Sequence, residues 1–416
     1  MASVQIEDPG GVMRILLVNH YAGSPLYGME YRPYYLAREW VRLGHSVTVV
    51  GSSFSHLRRR SPEKSEEMID DIRFLWLKTR GYNGNGAGRV LNMAAFSTAL
   101  YLSAGLLARN ERPDVVIASS PHPFIIYGAG RIARLSGARL IFEVRDLWPL
   151  TIVELGNISP RHPFIALMQR AEDYAYRAAD RVISVLPKAG DYMVGRGMNR
   201  DKFACVPNGV DIAGENVFGL RLPNYHEAAL AGLREKGLFL VGYAGGHGIA
   251  NALGYLIDAA AILRNSPVAF VLAGEGTEKQ ALAEKAMRLG LENVCLLPPV
   301  DKAAMPALLS AMDALYIGWN REPIYRFGIS PNKIMDYMMS GKPVIHSVEA
   351  CNDPVAESGC GVSVPPEDPG RIAGALESML SMTGAEREQM GARGRSFVLE
   401  HFDYRVLAGK YLEAFR

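Results

Sequence analysis

The chain has 416 residues, 49% of them hydrophobic and 21% charged, with a formal net charge of +2. That length exceeds an ordinary single core, and the composition is that of a soluble globular protein rather than a disordered or fibrous one. The four cysteines, at 205, 295, 351 and 360, form no CxxC or Cys/His metal spacing, which predicts reduced, buried thiols in a cytoplasmic protein without a metal site.

The first twelve residues, MASVQIEDPGGV, are polar and carry no signal-peptide pattern. MRILLVN (13–19) reads as a buried parallel strand. A loop with Gly23 and Gly28 follows, then a helical run over Tyr34–Leu43 that Gly44 ends, then a second strand at Ser46–Val50. This βαβ unit predicts a doubly wound sheet. Its further strands are expected at Ile72–Leu77, Val115–Ala118, Arg139–Glu143 and Arg181–Val185. The uncharged run Leu91–Ala108 has 18 residues, the lower edge of a membrane span, but Asn92, Ser97, Thr98 and Ser103 dilute it. A buried or surface-docking helix is expected there.

Charge is uneven along the chain. Residues 1–205 carry 26 Lys and Arg against 19 Asp and Glu, and the remainder 19 against 24. The basic first half either faces an anionic lipid headgroup or a phosphate-bearing substrate, with Arg58–Arg60 adding attraction near the apolar run, or is an uncommitted surface, the imbalance being modest. No nucleic-acid partner is expected.

Doubly wound sheets bind ligands at the carboxyl ends of their strands. Here those ends carry His20, Ser119–His122 and Glu143–Trp148. His122, between two prolines, is a functional candidate or a plain polar loop residue. Asp146 either serves an attacking hydroxyl as base or orienter, or joins Glu143 and Arg145 in a structural ion cluster. The loop ending at Gly28 closes over phosphates, shapes an acceptor pocket, or is a simple connection. VPNGVD (206–211) has turn chemistry and ends the first domain.

A second βα series starts near residue 212. Strands are expected at Leu238–Tyr243, Val268–Leu272, Val294–Leu297, Ala314–Ile317 and Pro343–Ile345. AGGHGIA (244–250) follows the first of them and opens a helix, so it is either a diphosphate clamp, with Gly245 and Gly246 letting backbone approach an anion and His247 beside them, or a plain tight turn. It has neither dinucleotide nor P-loop spacing, which argues against an NAD-dependent oxidoreductase. Glu275 lies in AGEG after the next strand, either a ligand contact or a free loop carboxylate. FGISPNKIMDYMMSGKPVI (327–345) delivers Lys333 to a helix N-terminus, with Asp336 three residues on. A cation and a helix N-terminus bind phosphate, and a carboxylate beside them accepts from ribose hydroxyls, which together describe a nucleotide site; the segment reads equally as a loop entering an ordinary amphipathic helix with Lys333 and Asp336 solvated.

MRILLVNHY with GHSVTVV, AADRVISV with VPNGVD, AGEG, ENVCLLPPV and SPNKIMDYMMSGKPVI, in this order, resemble the family-4 glycosyltransferases. Within that family, EVRDLWP and SPNK resemble the WbuB-like branch of O-antigen and capsule assembly. The resemblance implies a GT-B fold: a Rossmann-like acceptor domain (1–211), a Rossmann-like nucleotide-sugar domain (212–401) facing it across a cleft, and a C-terminal helix (402–416) crossing back to the first domain. It implies retaining transfer from a nucleotide-diphosphate sugar, UDP above all, without a metal or other cofactor. The acceptor is a glycan or a polyprenyl-diphosphate-linked sugar, which implies a cytoplasmic enzyme in contact with the inner face of the membrane. Donor contacts fall on Gly245, Gly246, His247, Glu275, Ser330, Asn332, Lys333 and Asp336. Lys333, Asp146 and His122 are the candidates for the chemistry. The family's first Glu is missing: Gly328 or, by another alignment, Tyr325 stands in its place, and backbone around Gly328–Ser330 is expected to hold the donor sugar instead. A nucleotide-sugar 2-epimerase and a non-catalytic sugar-nucleotide-binding subunit are the alternative readings.

Overall fold

A computed structural model describes residues 11–28, 31–84, 86–212 and 221–415. The polar N-terminal stretch and much of the connector after residue 212 lie outside the described residues. The chain folds into two compact units, one of Met1–Gly209 with Tyr404–Arg416, the other of Val210–Asp403.

The first unit is built on an eight-stranded sheet. Its strands are β1 (Arg14–Val18), β2 (Ser46–Ser52), β3 (Glu66–Ile69), β4 (Ile72–Leu77), β5 (Val115–Ser119), β6 (Arg139–Val144), β7 (Arg181–Ser184) and β8 (Phe203–Cys205), in the order β3-β4-β2-β1-β5-β6-β7-β8. All pairs are parallel except β3 with β4. Four consecutive residues of β1, Ile15 to Val18, are at most 2% exposed, because helices cover both faces of a central parallel strand. The last helix, Tyr404–Glu413, packs on Arg32–Arg42 of this unit, with Trp40 Nε1 donating to the carbonyl of Ala408 at 3.2 Å and its ring 5.2 Å from that of Tyr411.

The second unit has six parallel strands: β9 (Phe239–Ala244), β10 (Val268–Ala273), β11 (Val294–Leu297), β12 (Ala314–Gly318), β13 (Val344–Ser347) and β14 (Gly361–Val364), in the order β11-β10-β9-β12-β13-β14. Strands β3, β8 and β14 are absent from the sequence-based expectation. Each is short and lies at a sheet edge, where one side faces no neighbouring strand and the unbroken apolar run of a central strand is not required.

The apolar run at 91–108 lies in the 25-residue helix Ala87–Glu111. By length and composition this helix could cross a membrane, with a mean hydropathy of 1.5 over its most apolar window. One face nevertheless belongs to the core: Asn92, Met93, Phe96, Leu100, Ala104, Leu107 and Ala108 are buried, packed on the helix Ile125–Ser136. Gly128 permits that packing, since a Cβ there would lie 2.6 Å from Leu100 Cγ. The opposite face leaves Leu91, Leu102 and Leu106 exposed. Two expectations are corrected: Cys205 and Cys351 are exposed rather than buried, and Arg58 does not lie at the surface. It is 8% exposed, lies over the Trp76 ring at 4.7 Å and donates to the Ser52 carbonyl, so it cannot attract a lipid surface. Burial lowers its guanidinium to about 10.

Candidate functional site

The helix Asn332–Met339 follows Pro331, whose extended backbone (φ −77°, ψ 133°) sets the turn into it. Lys333, in its first turn, reaches back to the end of β9. Its Nζ donates to Tyr243 Oη at 2.5 Å and to Asn251 Oδ1 at 3.0 Å, and sits 4.1 Å above the Tyr243 ring. Tyr243 and Asn251 in turn both donate to the Gly246 carbonyl, at 2.6 and 2.9 Å. A buried Tyr337 hydroxyl ties the same helix to Ala244, accepting from its N–H at 2.7 Å and donating to its carbonyl at 3.1 Å. The glycine loop and the Lys333 helix therefore form one braced assembly. Burial lowers the Lys333 ammonium to about 8, so near neutral pH it holds a cation in poor solvent, a site that an anion would stabilise.

The loop has little slack. A Cβ at Gly245 would lie 2.7 Å from Lys333 Cε, and one at Gly274 only 1.9 Å from the Gly245 carbonyl oxygen. Since the second obstacle is backbone, Gly274→Ala is expected to destabilise the second unit by about 1–3 kcal/mol, visible as a lower urea midpoint.

His247 is fully buried, and neither ring nitrogen has a hydrogen-bond partner among the described residues. Burial, then the Lys279 charge, lowers its pKa, opposed by Glu275. A neutral His247 offers a hydrogen bond rather than a positive charge. Glu275 points to Lys279 Nζ at 2.7 Å, and its backbone carbonyl accepts from His247 N–H at 2.8 Å. The carboxyl of Asp336 is pushed up to about 6 by burial, against the pull of Lys302. Asn332 is exposed at the first helical position and Ser330 is half-buried ahead of it. Gly245, Gly246, His247 and Lys333 thus come together, Glu275 is joined to them through backbone, and Tyr243 and Asn251 complete the group. Tyr243 carries little mark in the sequence beyond a polar atom near the end of an apolar strand.

In the first unit, His122 Nε2 lies 2.9 Å from His20 Nδ1, and His20 Nε2 lies 2.7 Å from Asn92 Oδ1. Burial lowers His122 to about 3, and burial with the neighbouring His122 lowers His20 well below its ordinary value. Both rings are neutral. Glu143 is structural: it is 1% exposed and pairs with Arg32, 2% exposed, at 2.9 Å. Asp146 is not part of that pair. Its two oxygens accept from Thr151 Oγ1 at 2.6 Å and Trp148 Nε1 at 3.0 Å, and burial raises its pKa against these bonds. Gly28 bridges both Ser24 and Arg58, at φ +102° with a would-be Cβ 3.2 Å from the Arg59 nitrogen. Among the described residues no cluster of three or more His, Cys, Asp or Glu could hold a metal ion.

Two family profiles match the chain: a glycosyl transferase 4-like domain over residues 27–209 and glycosyl transferases group 1 over 239–382. The putative colanic acid biosynthesis glycosyl transferase WcaI of Escherichia coli K12 is 24% identical over 304 residues, 70% of this chain and 72% of that one. Among solved structures, Anabaena HepE in complex with UDP and glucose superposes with a TM-score of 0.65 at 17% identity, covering 96% of this chain and 98% of the other. WaaG, a glycosyltransferase involved in lipopolysaccharide biosynthesis, superposes with a TM-score of 0.65 at 15% identity, again over 96% and 98%. These structural likenesses show the fold.

Proposed function

The chain belongs to the family-4-type glycosyltransferases of GT-B fold, and from that premise we propose that it transfers a sugar from a UDP-sugar to a glycan or polyprenyl-diphosphate-linked acceptor in cell-surface polysaccharide synthesis. The observation that carries this reading is Lys333, a half-buried cation held against a glycine loop at a helix N-terminus. UDP with glucose bound to HepE, and the naming of WcaI and WaaG for colanic acid and lipopolysaccharide biosynthesis, support the donor and the setting.

In the proposed reaction the bond from the sugar C1 to the diphosphate oxygen breaks as the acceptor oxygen bonds to C1 on the same face, which retains configuration. Lys333 and the helix N-terminus stabilise the charge that grows on the leaving diphosphate, without a resident metal. His247 contributes one hydrogen bond, Asp336 accepts from the ribose, and Gly245 and Gly246 admit the phosphates. The acceptor proton passes to a diphosphate oxygen. His122, with a pKa near 3, is too weak a base to take it. His122 and Asp146 orient the acceptor instead.

Thermal-shift screening with UDP-, GDP- and dTDP-sugars tests the donor. At 100-fold excess over Kd the right nucleotide adds about 2.7 kcal/mol, so the UDP series is expected to stand apart. A shift confined to GDP or dTDP sugars would refute the choice of UDP.

The exposed Leu91, Leu102 and Leu106 of Ala87–Glu111, with exposed Arg109, Arg112 and Arg134, support contact with the inner face of the membrane. Co-sedimentation with vesicles containing anionic lipid is expected, weakening as salt rises. Sedimentation indifferent to both lipid charge and salt would exclude such contact.

A further inference from the structure

The segment Pro323–Ser330, where the family's first Glu is missing, is tied down by side chains from beyond β13. Asn352 Oδ1 accepts from the Ile329 N–H at 2.8 Å, and Asn352 Nδ2 donates to the Ile329 carbonyl at 2.9 Å. The side-chain amide thus takes both backbone groups of one residue, as a neighbouring strand does, and ties Ile329 to Asn352. Next to it, Gly328 stands at φ +110°, and Cys351 N–H donates to the Tyr325 carbonyl at 3.3 Å. The start of the same segment is tied to the same place. Trp319 packs edge-on against Tyr325, with centroids 5.4 Å apart, and its Nε1 donates to His346 Nε2 at 3.1 Å. His346 is fully buried and lies through Nδ1 2.8 Å from Asp353 Oδ1. Accepting at Nε2 puts its proton on Nδ1, directed at Asp353, the residue after Asn352. The buried His346 therefore links Trp319, which packs on Tyr325, to Asp353, the neighbour of Asn352.

Resting on the donor reading above, we infer that Asn352 is a positioning residue that shapes the Gly328–Ser330 turn for the sugar half of the donor, in place of a side-chain carboxylate. Ile329 spends its N–H and carbonyl on Asn352, so those groups do not bind the sugar. Their role is to set the path of Gly328 and Ser330 on either side. The nucleotide half is held elsewhere, by Lys333 and the glycine loop, and does not depend on Asn352.

The test compares UDP with UDP-glucose and UDP-N-acetylglucosamine, titrated into the full chain and its variants. Asn352→Ala is expected to leave UDP affinity within about twofold while weakening the better-bound UDP-sugar by about tenfold, the scale of two lost hydrogen bonds. Asn352→Asp keeps the bond from the Ile329 N–H and is expected to lie between wild type and alanine. Should Asn352→Ala fail to fold, Trp319→Phe keeps the ring against Tyr325 but removes the bond to His346, and is expected to show the same selective loss, smaller in size. Equal loss of UDP and UDP-sugar affinity would reduce Asn352 to a structural role, and unchanged affinity for both would remove it; either overturns the inference. A wild-type chain that binds UDP but neither sugar nucleotide more tightly also overturns it. Failure of the wild type to bind UDP overturns the donor reading itself.

Discussion

Replacing Lys333 by alanine is expected to lower turnover at saturating donor by about 30- to 1,000-fold, corresponding to about 2–4 kcal/mol of transition-state stabilisation. The size follows from the surroundings. The ammonium is held by Tyr243 and Asn251 in a site that lowers its pKa to about 8, so its interaction with a diphosphate is poorly screened by water. Charge on that diphosphate increases as the sugar leaves, so the loss falls on kcat as well as on binding. Two dependences accompany it. Below about pH 8 the free enzyme carries the charge, so kcat/KM for the donor is expected to fall as pH rises through that value. The fold responds in the opposite sense. An unfolded lysine keeps its proton to about pH 10.4, whereas the folded one releases it near 8, so the unfolded state binds more protons in between and stability rises with pH across that window. Lys333→Met, which fills the space without the charge, is accordingly expected to be at least as stable as wild type at pH 7 while losing turnover to about the same extent as Lys333→Ala.

Glu143→Ala is expected to cost the first unit about 3–5 kcal/mol, because it strands the Arg32 guanidinium in a site 2% exposed. Arg32 also donates to the carbonyls of Val206, at 2.8 Å, and Pro207, so one guanidinium joins the helix Arg32–Arg42, β6 and the chain leaving β8. Burial alone would raise the Glu143 carboxyl; Arg32 first, then Arg145 and the Ser119 hydroxyl, outweigh it and hold the pKa below the ordinary range. A depressed carboxyl contributes stability that is present above its unfolded pKa, about 4.3, and is lost as pH falls below it through the folded value. Urea melts at pH 7 and pH 3 check both statements. Removing both charges in Arg32→Met/Glu143→Leu is expected to recover much of the loss, since a buried pair owes little net stability to its charges. Equal destabilisation in the double variant would show that shape, not charge, accounts for the effect.

The central strands were legible because a parallel strand covered on both faces is apolar throughout, as in RILLV and VVIAS. The edge strands Glu66–Ile69 and Gly361–Val364 alternate or expose polar residues and left no such mark. At the candidate site, the glycine loop and Lys333 could be read from local pattern, since a helix start and a run of glycines are local properties. Their partnership through Tyr243 could not, because the two residues are 90 positions apart and meet only when β9 lies beside the Lys333 helix. The clamp of Asn352 on Ile329 is likewise a long-range pairing, 23 residues apart, with no periodicity to announce it. Asp146 and Glu143 looked alike in EVRDLWP. Only packing separates them, giving Glu143 a buried arginine and Asp146 a tryptophan and a threonine.

Calorimetric titration of UDP into the full chain and into Lys333→Ala at pH 7 tests the account most directly. The account predicts saturable binding by wild type and a loss of at least about tenfold in the variant, with circular dichroism showing both folded. No UDP binding by a folded wild type, or equal affinity in the two proteins, would contradict it.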